Sequence, residues 1–376
     1  MMMSGGESNL MGRGTEVLVN TRSIGGSFSG VQRYAAEILR RLDGKVREVA
    51  PRRSLHGVRG HLWEQVALPA KVKSNLLWSP ANTGPLSIAR QVVTVHDVAP
   101  LERAEWFTPR FAAWYRWLIP RLVHRAYRVI AVSKFTKERI ADLTGVDESH
   151  IVVIPNGVDE RFCPRPIDER EIAQRQLGIP SPHYVLCLST LEPRKNIAGL
   201  IQAWNACVHE IPDDIFLVVS GASGKRHIFE QLNLEHIPAR VRVTGFVEDS
   251  QLPALYSGAL ALVNLSVYEG FGLPVLEAMA AGTVPICSNL TAFPELVGNA
   301  GILVDPYDVD SIASAIRKVI ENTALRDELR ALATSRSRNF TWDQAAQDTW
   351  QVLVDAQSMS HASDCALDRR PRAEIG

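Results

Sequence analysis

Short apolar runs alternate with longer amphipathic segments along most of the 376 residues. Continuous apolar strands separated by helices are typical of parallel sheets that are covered on both faces. The series occurs twice, so the sequence predicts an α/β fold of two doubly wound domains. The first series has predicted strands at 16–20, 91–95, 129–132 and 151–154, and a predicted helix at 31–42 follows the first strand. The second series has predicted strands at 184–189, 215–220, 241–244, 261–265, 284–287 and 302–304, with predicted helices at 197–210, 273–281 and 311–321.

The predicted domain boundary lies in RFCPRPI, residues 161–167, where two prolines disfavour regular structure. We therefore expect a first domain at 1–165, a second at 166–341, a last helix at 342–357 and a mobile polar tail at 358–376. Two such domains facing each other form a cleft between the carboxyl ends of their sheets. Open α/β sheets bind their ligands there.

The segment YEGFGLPVLEAMAAG, residues 268–282, carries the most specific chemistry. Pro274 indicates a helix that begins near Leu273, and the free N–H groups and positive dipole end of that helix suit an anion. Glu269 lies just before this anion site and Glu277 lies one turn inside the helix. Two carboxylates beside such a site favour a ligand with hydroxyls on both sides of a phosphate, as in a sugar nucleotide. The alternative is a helix cap with a surface acid.

Two further loops are candidates for phosphate contacts. In LEPRKN, Arg194 and Lys195 lie between a strand and a helix, with Asn196 as the expected N-cap. Adjacent cations at a helix start suit a diphosphate, and the alternative is a solvated basic turn. The glycine-rich loop 22–30 precedes the first helix, but it does not match G-x-G-x-x-G, so a nicotinamide site is weakly supported. The alternative for that loop is simple flexibility.

His96 follows a buried strand in VVTVHDVAP, at the mouth of the predicted cleft. We expect it to hydrogen-bond a sugar hydroxyl or a backbone carbonyl, with Asp97 as its support or as a loop cap. The segment 111–128 places Phe111, Trp114 and Tyr115 at helical spacing among several arginines, and Pro120 is expected to kink or break that helix. This helix either faces the core or lies against an anionic membrane surface.

Composition and charge exclude several classes of protein. Hydrophobic residues make up 46% and charged residues 22%, with 41 basic and 41 acidic residues, which argues against a disordered chain and a general nucleic-acid binder. The zero net charge hides a division, since residues 1–155 hold 22 basic and 13 acidic residues (+9) and the remainder holds 19 and 28 (−9).

No secretory signal or apolar run long enough to span a membrane is evident in the sequence, and the five scattered cysteines suggest reduced thiols. Asp308 and Asp310 resemble a D-x-D metal motif but open a predicted helix, where capping is expected. These features predict a cytoplasmic protein without a metal site.

The chain resembles the retaining glycosyltransferases of family 4, which have the GT-B architecture of two Rossmann-like domains. The resemblance covers about 17–350 and rests on EGFGLPVLEAMAAGTVPI (an E-x7-E signature), VIAVSKFTKERI, VIPNGVD, LEPRKN, VTGFV and GILVDP. GVQRY, GPLS, VVTVHDVAPLE and EWFTPRF are similar to the subgroup that adds mannose or a mannose-derived sugar in bacterial surface-polysaccharide synthesis. The resemblance implies a first domain for the acceptor, a second domain for the donor and a last helix that crosses back to the first domain.

The resemblance also implies residue roles. Ser29-Gly30 stands where the family commonly has Gly-Gly, which makes Gly30 a donor-loop candidate. The remaining implied contacts are Glu269 to the donor sugar and transition state, His96 to the transferred sugar, Glu277 to the ribose, Arg194 and Lys195 to the diphosphate, and backbone N–H groups of Phe271, Gly272 and Leu273.

The expected reaction is retaining transfer of a hexose, mannose or a GDP-deoxyhexose such as rhamnose, from a nucleoside-diphosphate sugar to a lipid-linked glycan. No cofactor or metal is expected, a GDP-sugar is favoured, and the inner membrane and other polysaccharide-assembly enzymes are expected partners. The alternatives are a nucleotide-sugar epimerase of the same architecture, a pyridoxal-dependent phosphorylase and a non-catalytic sugar-binding protein.

Overall fold

The computed structural model describes residues 16–24, 29–55, 57–190, 192–221 and 238–367, with side chains through Ser358. Its strands form two six-stranded sheets in which every pairing is parallel, one sheet in each half of the chain. The prediction of two doubly wound domains is therefore confirmed. The first sheet contains β1 Val17–Asn20, β2 Arg47–Val49, β3 Leu76–Ser79, β4 Gln91–Val95, β5 Arg128–Ala131 and β6 Ile151–Val153; the second contains β7 His183–Leu188, β8 Ile215–Ser220, β9 Val241–Gly245, β10 Ala261–Asn264, β11 Val284–Ser288 and β12 Ile302–Val304.

The strand orders are β2-β1-β3-β4-β5-β6 and β12-β11-β10-β7-β8-β9. In each sheet the strand order changes direction at a central position, between β1 and β3 in the first sheet and between β7 and β10 in the second. Such a position opens a crevice at the carboxyl ends of the strands. Helices cover the two faces of both sheets. In chain order, the described α-helices and the π-helical turn are Gly30–Arg41, Gly57–Leu62, the π-helical turn Trp63–Ala67, Leu68–Val72, Ala99–Glu102, Pro109–Arg125, Lys134–Thr144, Ile167–Leu177, Ile197–Cys207, Leu252–Gly258, Leu273–Ala280, Phe293–Val297, Val309–Glu321, Thr323–Ser337 and Trp342–Leu367. Short 3-10 turns lie at Ala104–Trp106, Glu148–His150 and Pro193–Lys195.

The apolar strands are buried as their composition predicts. All five residues of β4 and of β11 are buried, because helices pack on both faces of the sheet. The largest fully buried side chains include Trp78, Trp204 and Trp342. Burial of apolar surface on this scale is the main force that holds each domain together.

The last helix packs on the first sheet, although it follows the second in sequence. It contacts β3, β4 and β5 and runs beside helix Gly30–Arg41. Its start is held by a parallel bridge between Val158 and Thr341, where a Cβ atom on Gly157 would overlap the backbone of Trp342. The segment between β6 and Ile167 and the start of the last helix thus form the two connections between the halves.

The expected end of the last helix at 357 was wrong. The helix continues to Leu367, so residues 358–367 belong to the helix rather than to a tail that follows it. The physical reason is that this stretch contains neither proline nor glycine, and nothing in it breaks the helix. Residues 368–376 lie outside the described part of the chain.

Pro120 was expected to kink or break its helix. The expected break was wrong, because the helix is continuous over Pro109–Arg125. The expected kink stays a prediction. The buried residues Leu118, Ile119, Leu122 and Val123 lie on both sides of Pro120 and anchor this carboxyl half of the helix in the core. This burial offsets the one backbone hydrogen bond that proline removes.

Candidate active site

Three loops that each follow a parallel strand meet between the two sheets. His96 follows β4 in the first domain, Arg194 and Lys195 follow β7, and Glu269 follows β10. The domains touch here through backbone: a Cβ atom on Gly270 would overlap the carbonyl oxygen of His96. The structure therefore brings these four predicted site residues to one place.

Glu269 is a buried carboxylate that is held by two cations. Its side chain is 12% exposed, Lys195 Nζ pairs with Oε1, and Arg194 Nη1 lies 3.6 Å from Oε2. The hydroxyl of Ser266 donates a hydrogen bond of 3.1 Å to Oε1. Burial alone would raise the pKa of Glu269, but Lys195 and Arg194 bring the pKa below its usual range. The group is therefore ionised at neutral pH.

The two cations sit on a tight turn that the sequence rigidifies. They end the 3-10 turn Pro193–Lys195, and Asn196 then caps helix Ile197–Cys207 by accepting from the N–H of Gly199 at 3.2 Å. The predicted N-cap is thus confirmed. Arg194 is fixed by Glu192, 2.6 Å from its Nε, and by the carbonyl of Tyr268 at 3.4 Å.

The helix start beside Glu269 is at Leu273, as the sequence predicts. Gly272 adopts a φ of +105°, and a Cβ atom there would lie 2.8 Å from the ring of Phe293, so both conformation and space require glycine. Phe271 and Leu273 bury their side chains. Backbone N–H groups in the first turn of a helix have no acceptor within that helix, which makes this end suitable for an anion.

Glu277 is bound from across the cleft by Arg33. The guanidinium of Arg33 pairs with Glu277 and with Asp249, and the hydroxyl of Tyr256 donates to Glu277 at 2.9 Å. Burial raises the pKa of Glu277, and Arg33 opposes this shift. The sequence reasoning missed Arg33. Its position one turn inside the helix that follows the glycine-rich loop was the available signal, but its partner lies 244 residues away.

His96 is buried and its orientation is fixed. Its Nε2–H donates to the carbonyl of Pro80 at 2.8 Å, and its ring meets Tyr34 edge-on at 4.8 Å. Burial lowers the pKa of His96 to about 4. A neutral ring that donates from Nε2 keeps a lone pair on Nδ1, so His96 presents an acceptor. Burial raises the pKa of Asp97, and the positive charge of Arg194 opposes this.

Gly30 begins its helix against the opposite domain. The side chain of Leu273 lies 3.3 Å from where a Cβ of Gly30 would be, so this predicted donor-loop residue faces the helix start. Ser29 caps the helix through a capping box with Gln32. Residues 25–28 of the glycine-rich loop lie outside the described residues.

The aromatic segment is only partly a core element. Leu118 and Leu122 are buried, but Phe111 and Trp117 are 40% and 42% exposed, and Trp114 and Tyr115 are half-buried. The predicted apolar stripe therefore divides, with its carboxyl half in the core and its amino half at the surface. No helix among the described residues has the length and apolar character needed to cross a membrane.

Asp308 of the D-x-D pair serves as the N-cap of helix Val309–Glu321. The carboxylate of Asp308 accepts from the N–H groups of Asp310 and Ser311 at 3.1 and 3.0 Å. Across the ranges that the structure describes, no group of three or more His, Cys, Asp or Glu residues is arranged to hold a metal ion.

Comparisons with known proteins agree with this geometry. A family described as "Glycosyl transferases group 1" matches residues 169–336, and one described as "Glycosyltransferase Family 4" matches residues 74–162. The chain is 30% identical over 267 residues to O-antigen chain mannosyltransferase B of Escherichia coli, which covers 70% of each protein. It is 29% identical over 264 residues to the serotype-specific mannosyltransferase WbdA of Escherichia coli, covering 68% of this chain and 32% of that longer protein.

A solved structure of Anabaena Alr3699/HepE in complex with UDP-glucose has the same fold. The TM-score is 0.71 at 20% identity, and the match covers 91% of this chain and 100% of that one. The two-domain arrangement is therefore the GT-B architecture. The chain belongs to the glycosyltransferases, with its two halves matching the family 4 and group 1 members of that class.

Proposed function

We propose that this glycosyltransferase moves mannose from GDP-mannose to a hydroxyl of a growing, lipid-linked O-antigen-type glycan, with retention of anomeric configuration. The observation that carries the proposal is the buried Glu269 carboxylate, held by Lys195 and Arg194 at a helix start, with the next residue, Gly270, against the backbone of His96. Two relatives that are named mannosyltransferases support the choice of sugar. The likeness to a structure with UDP-glucose keeps UDP-sugars among the donors to be tested.

The donor binds along the second domain in this proposal. The ribose hydroxyls bind Glu277, and the diphosphate lies between Arg194, Lys195 and the N–H groups of Phe271, Gly272 and Leu273. Since Arg33 occupies Glu277 in this structure, ribose binding requires Arg33 to release part of that carboxylate. No metal is needed in this proposal, because the two cations and the helix start stabilise the charge of the departing diphosphate.

Transfer then takes place on one face of the sugar. The bond from the anomeric carbon to the β-phosphate oxygen breaks, the acceptor oxygen bonds to the same face, and the leaving phosphate takes the acceptor proton. Glu269 stabilises the sugar in the transition state, and Nδ1 of His96 accepts a hydrogen bond from a hydroxyl of that sugar. Closure of the two domains limits hydrolysis of the donor by excluding water.

A donor panel tests the function as a whole. With a membrane extract as acceptor source, we expect nucleotide release from GDP-mannose to exceed that from GDP-rhamnose and UDP-glucose. Isomerisation of the donor without acceptor would indicate the epimerase alternative, and donor binding without release would indicate a non-catalytic protein. A visible absorption band of a lysine-bound pyridoxal would indicate the phosphorylase.

Glu269→Gln tests the catalytic assignment. The amide keeps the shape of the side chain but removes the charge that the site is built to hold, so we expect turnover to fall by roughly 100-fold or more. Nucleotide release is the measurement. Glu171→Gln, on the exposed surface of helix Ile167–Leu177, is the matched control and should behave as the native protein. Near-native turnover of Glu269→Gln would contradict the assignment.

The depressed pKa of His96 predicts a pH-dependent stability. The unfolded chain protonates this ring near its ordinary pKa of 6.5, whereas the folded chain does so at about 4. Between those values the unfolded state binds more protons, so the free energy of unfolding falls as the pH falls. The loss is on the order of 3 kcal/mol. Thermal melts should therefore decline less steeply with acidification for His96→Asn, and equal slopes would show that His96 is not the group responsible.

An exposed apolar and aromatic surface, formed by Val58, Leu62, Val66, Phe111 and Trp117 and called here the exposed aromatic surface, predicts contact with an anionic membrane. Val58, Leu62 and Val66 are 84%, 62% and 66% exposed on the helical segment beside helix Pro109–Arg125, which exposes Trp117 next to Arg121. Apolar and aromatic side chains among arginines favour the interface of anionic bilayers. Vesicles rich in phosphatidylglycerol should carry the native protein upward in a density gradient at low salt.

The double variant Leu62→Ser with Trp117→Ser should float less in that gradient. Tyr307→Ser, which removes a 70% exposed aromatic residue from the other domain, is the control and should float as the native protein does. Absence of native flotation at low salt would reject the membrane contact and would leave the donor chemistry unaffected.

A further inference from the structure

A further buried carboxylate, Glu64, lies in the first domain outside the donor site. It belongs to the π-helical turn Trp63–Ala67, and its side chain is fully buried. Its neighbours come from the carboxyl ends of two strands. Asn20 ends β1, Arg22 is in the turn that follows, and Thr83 is in the loop after β3. The group therefore sits on the same edge of the sheet as His96.

Hydrogen-bond donors and a cation surround the Glu64 carboxylate. Asn20 Nδ2 donates to Oε1 at 2.6 Å, and the hydroxyl of Thr83 donates to the same oxygen at 3.0 Å. Arg22 Nη2 lies 3.4 Å from Oε2, and Nδ1 of His61 lies 3.7 Å from that oxygen. Burial would raise the pKa of Glu64, but His61 and Arg22 lower it. Glu64 and Arg22 thus form a buried ion pair.

Fold stability alone gives a poor account of this pair. Burying two charges is costly, and well-packed apolar residues in such a place are often as stable or more so. The carboxylate also lies on a single π-helical turn, a distortion that is frequent at functional sites. A third feature also favours a role in recognition: the pair lies at the carboxyl edge of the sheet, where open α/β sheets bind their ligands.

Hydrogen bonds connect the pair to His96. The hydroxyl of Thr83 lies 3.2 Å from Nη2 of Arg22 and 3.0 Å from Oε1 of Glu64. In the same loop, the carbonyl of Pro80 accepts from Nε2 of His96 at 2.8 Å. The pair and His96 are therefore held by one loop.

Aromatic rings pack near the pair through His61. Nδ1 of His61 lies 3.7 Å from Glu64, and its ring lies 5.2 Å from that of Trp114 and 6.1 Å from that of Tyr115.

The charge balance indicates the kind of ligand. Glu64 compensates the charge of Arg22, so the pair as a whole is neutral and is poorly suited to a phosphate dianion. Arg22 reaches solvent with 10% of its side chain, while Glu64 does not. A guanidinium held in one orientation suits a neutral sugar, whose hydroxyls accept hydrogen bonds. The rings of Trp114 and Tyr115, which pack on neighbouring His61, are the kind of surface on which a sugar ring packs.

We propose that Arg22, oriented by Glu64 in the cluster where His61 packs on Tyr115 and Trp114, binds the terminal neutral sugar of the acceptor glycan and presents a hydroxyl of that sugar to the donor. Glu64 is a positioning residue here, because it acts through Arg22. The identity of this sugar as the acceptor rests on the proposed transferase function. The existence of a neutral-sugar subsite does not rest on that function.

Two measurements test the proposal on the full chain. Calorimetric titration with an α-linked mannose oligosaccharide measures the subsite directly, and steady-state kinetics with GDP-mannose measures its use. We expect Arg22→Lys, which keeps the charge but loses the planar fork, to weaken oligosaccharide binding and raise the acceptor KM by about 10-fold. The affinity for GDP should not change. Arg47→Lys, on the exposed strand β2, is the matched control.

Glu64→Gln tests the positioning role. It should raise the acceptor KM to a similar extent, and the double variant with Arg22→Lys should be no worse than Arg22→Lys alone, because both changes remove the same contact. A merely structural Glu64 would lower the melting temperature and leave the acceptor KM unchanged. That result would overturn the role of Glu64.

Native oligosaccharide affinity in Arg22→Lys would overturn the subsite itself. If no donor releases nucleotide from the native protein, the proposed transferase function fails. The oligosaccharide titration still decides the subsite in that case, so the two failures are distinguishable.

Discussion

The close approach of two backbone segments, Gly270 and the carbonyl of His96, is the constraint on which the site depends. There is no room for a Cβ atom between them, and the hydroxyl of Thr136 lies 3.2 Å from the Gly270 carbonyl and 3.4 Å from that of His96. A side chain on residue 270 would force the domains apart. Because Glu269 precedes this contact and His96 forms it, the separation of the two side chains is fixed by main chain rather than by mobile groups.

Charge balance is the second condition, and it is met differently at the two carboxylates of the donor site. Glu269 is compensated within its own domain by Lys195 and Arg194, whereas Glu277 is compensated by Arg33 from the other domain. Loss of one partner would leave a buried charge uncompensated, which is strongly destabilising. The site is therefore balanced before a donor arrives. A donor that binds Glu277 must replace a contact between the domains, so binding and domain closure are coupled in the proposed mechanism.

The sequence predicted the architecture because parallel strands leave a strong local signal. The bounds of β4, β8 and β12 are those expected, while β2 and β3 were missed. β2 has only three residues, two of them exposed and charged, so it leaves almost no apolar signal. β3 has four residues, all buried, and is as long as the predicted β5, so its length does not explain why it was missed. Arg194, Lys195 and Glu269 could be assigned to one edge of the second sheet, because each lies in a loop that follows a predicted strand. The Arg33–Glu277 and Arg22–Glu64 pairs could not be read in the same way, because the partners are 244 and 42 residues apart and nothing local links them. Pairing of distant charges is a property of the tertiary fold.

The division of charge between the halves of the chain gains a physical meaning from these positions. Residues 1–155 carry a formal charge of +9 and hold both the exposed aromatic surface and the Arg22–Glu64 pair, whereas the remainder carries −9. An anionic membrane attracts the first half and repels the second, which would orient the cleft relative to the surface. Nucleotide binding in an acidic domain then depends on the local cations beside Glu269, because their short distances outweigh a diffuse charge that salt screens. In the proposed function, long-range charge therefore positions the protein at its acceptor, and short-range charge selects its donor.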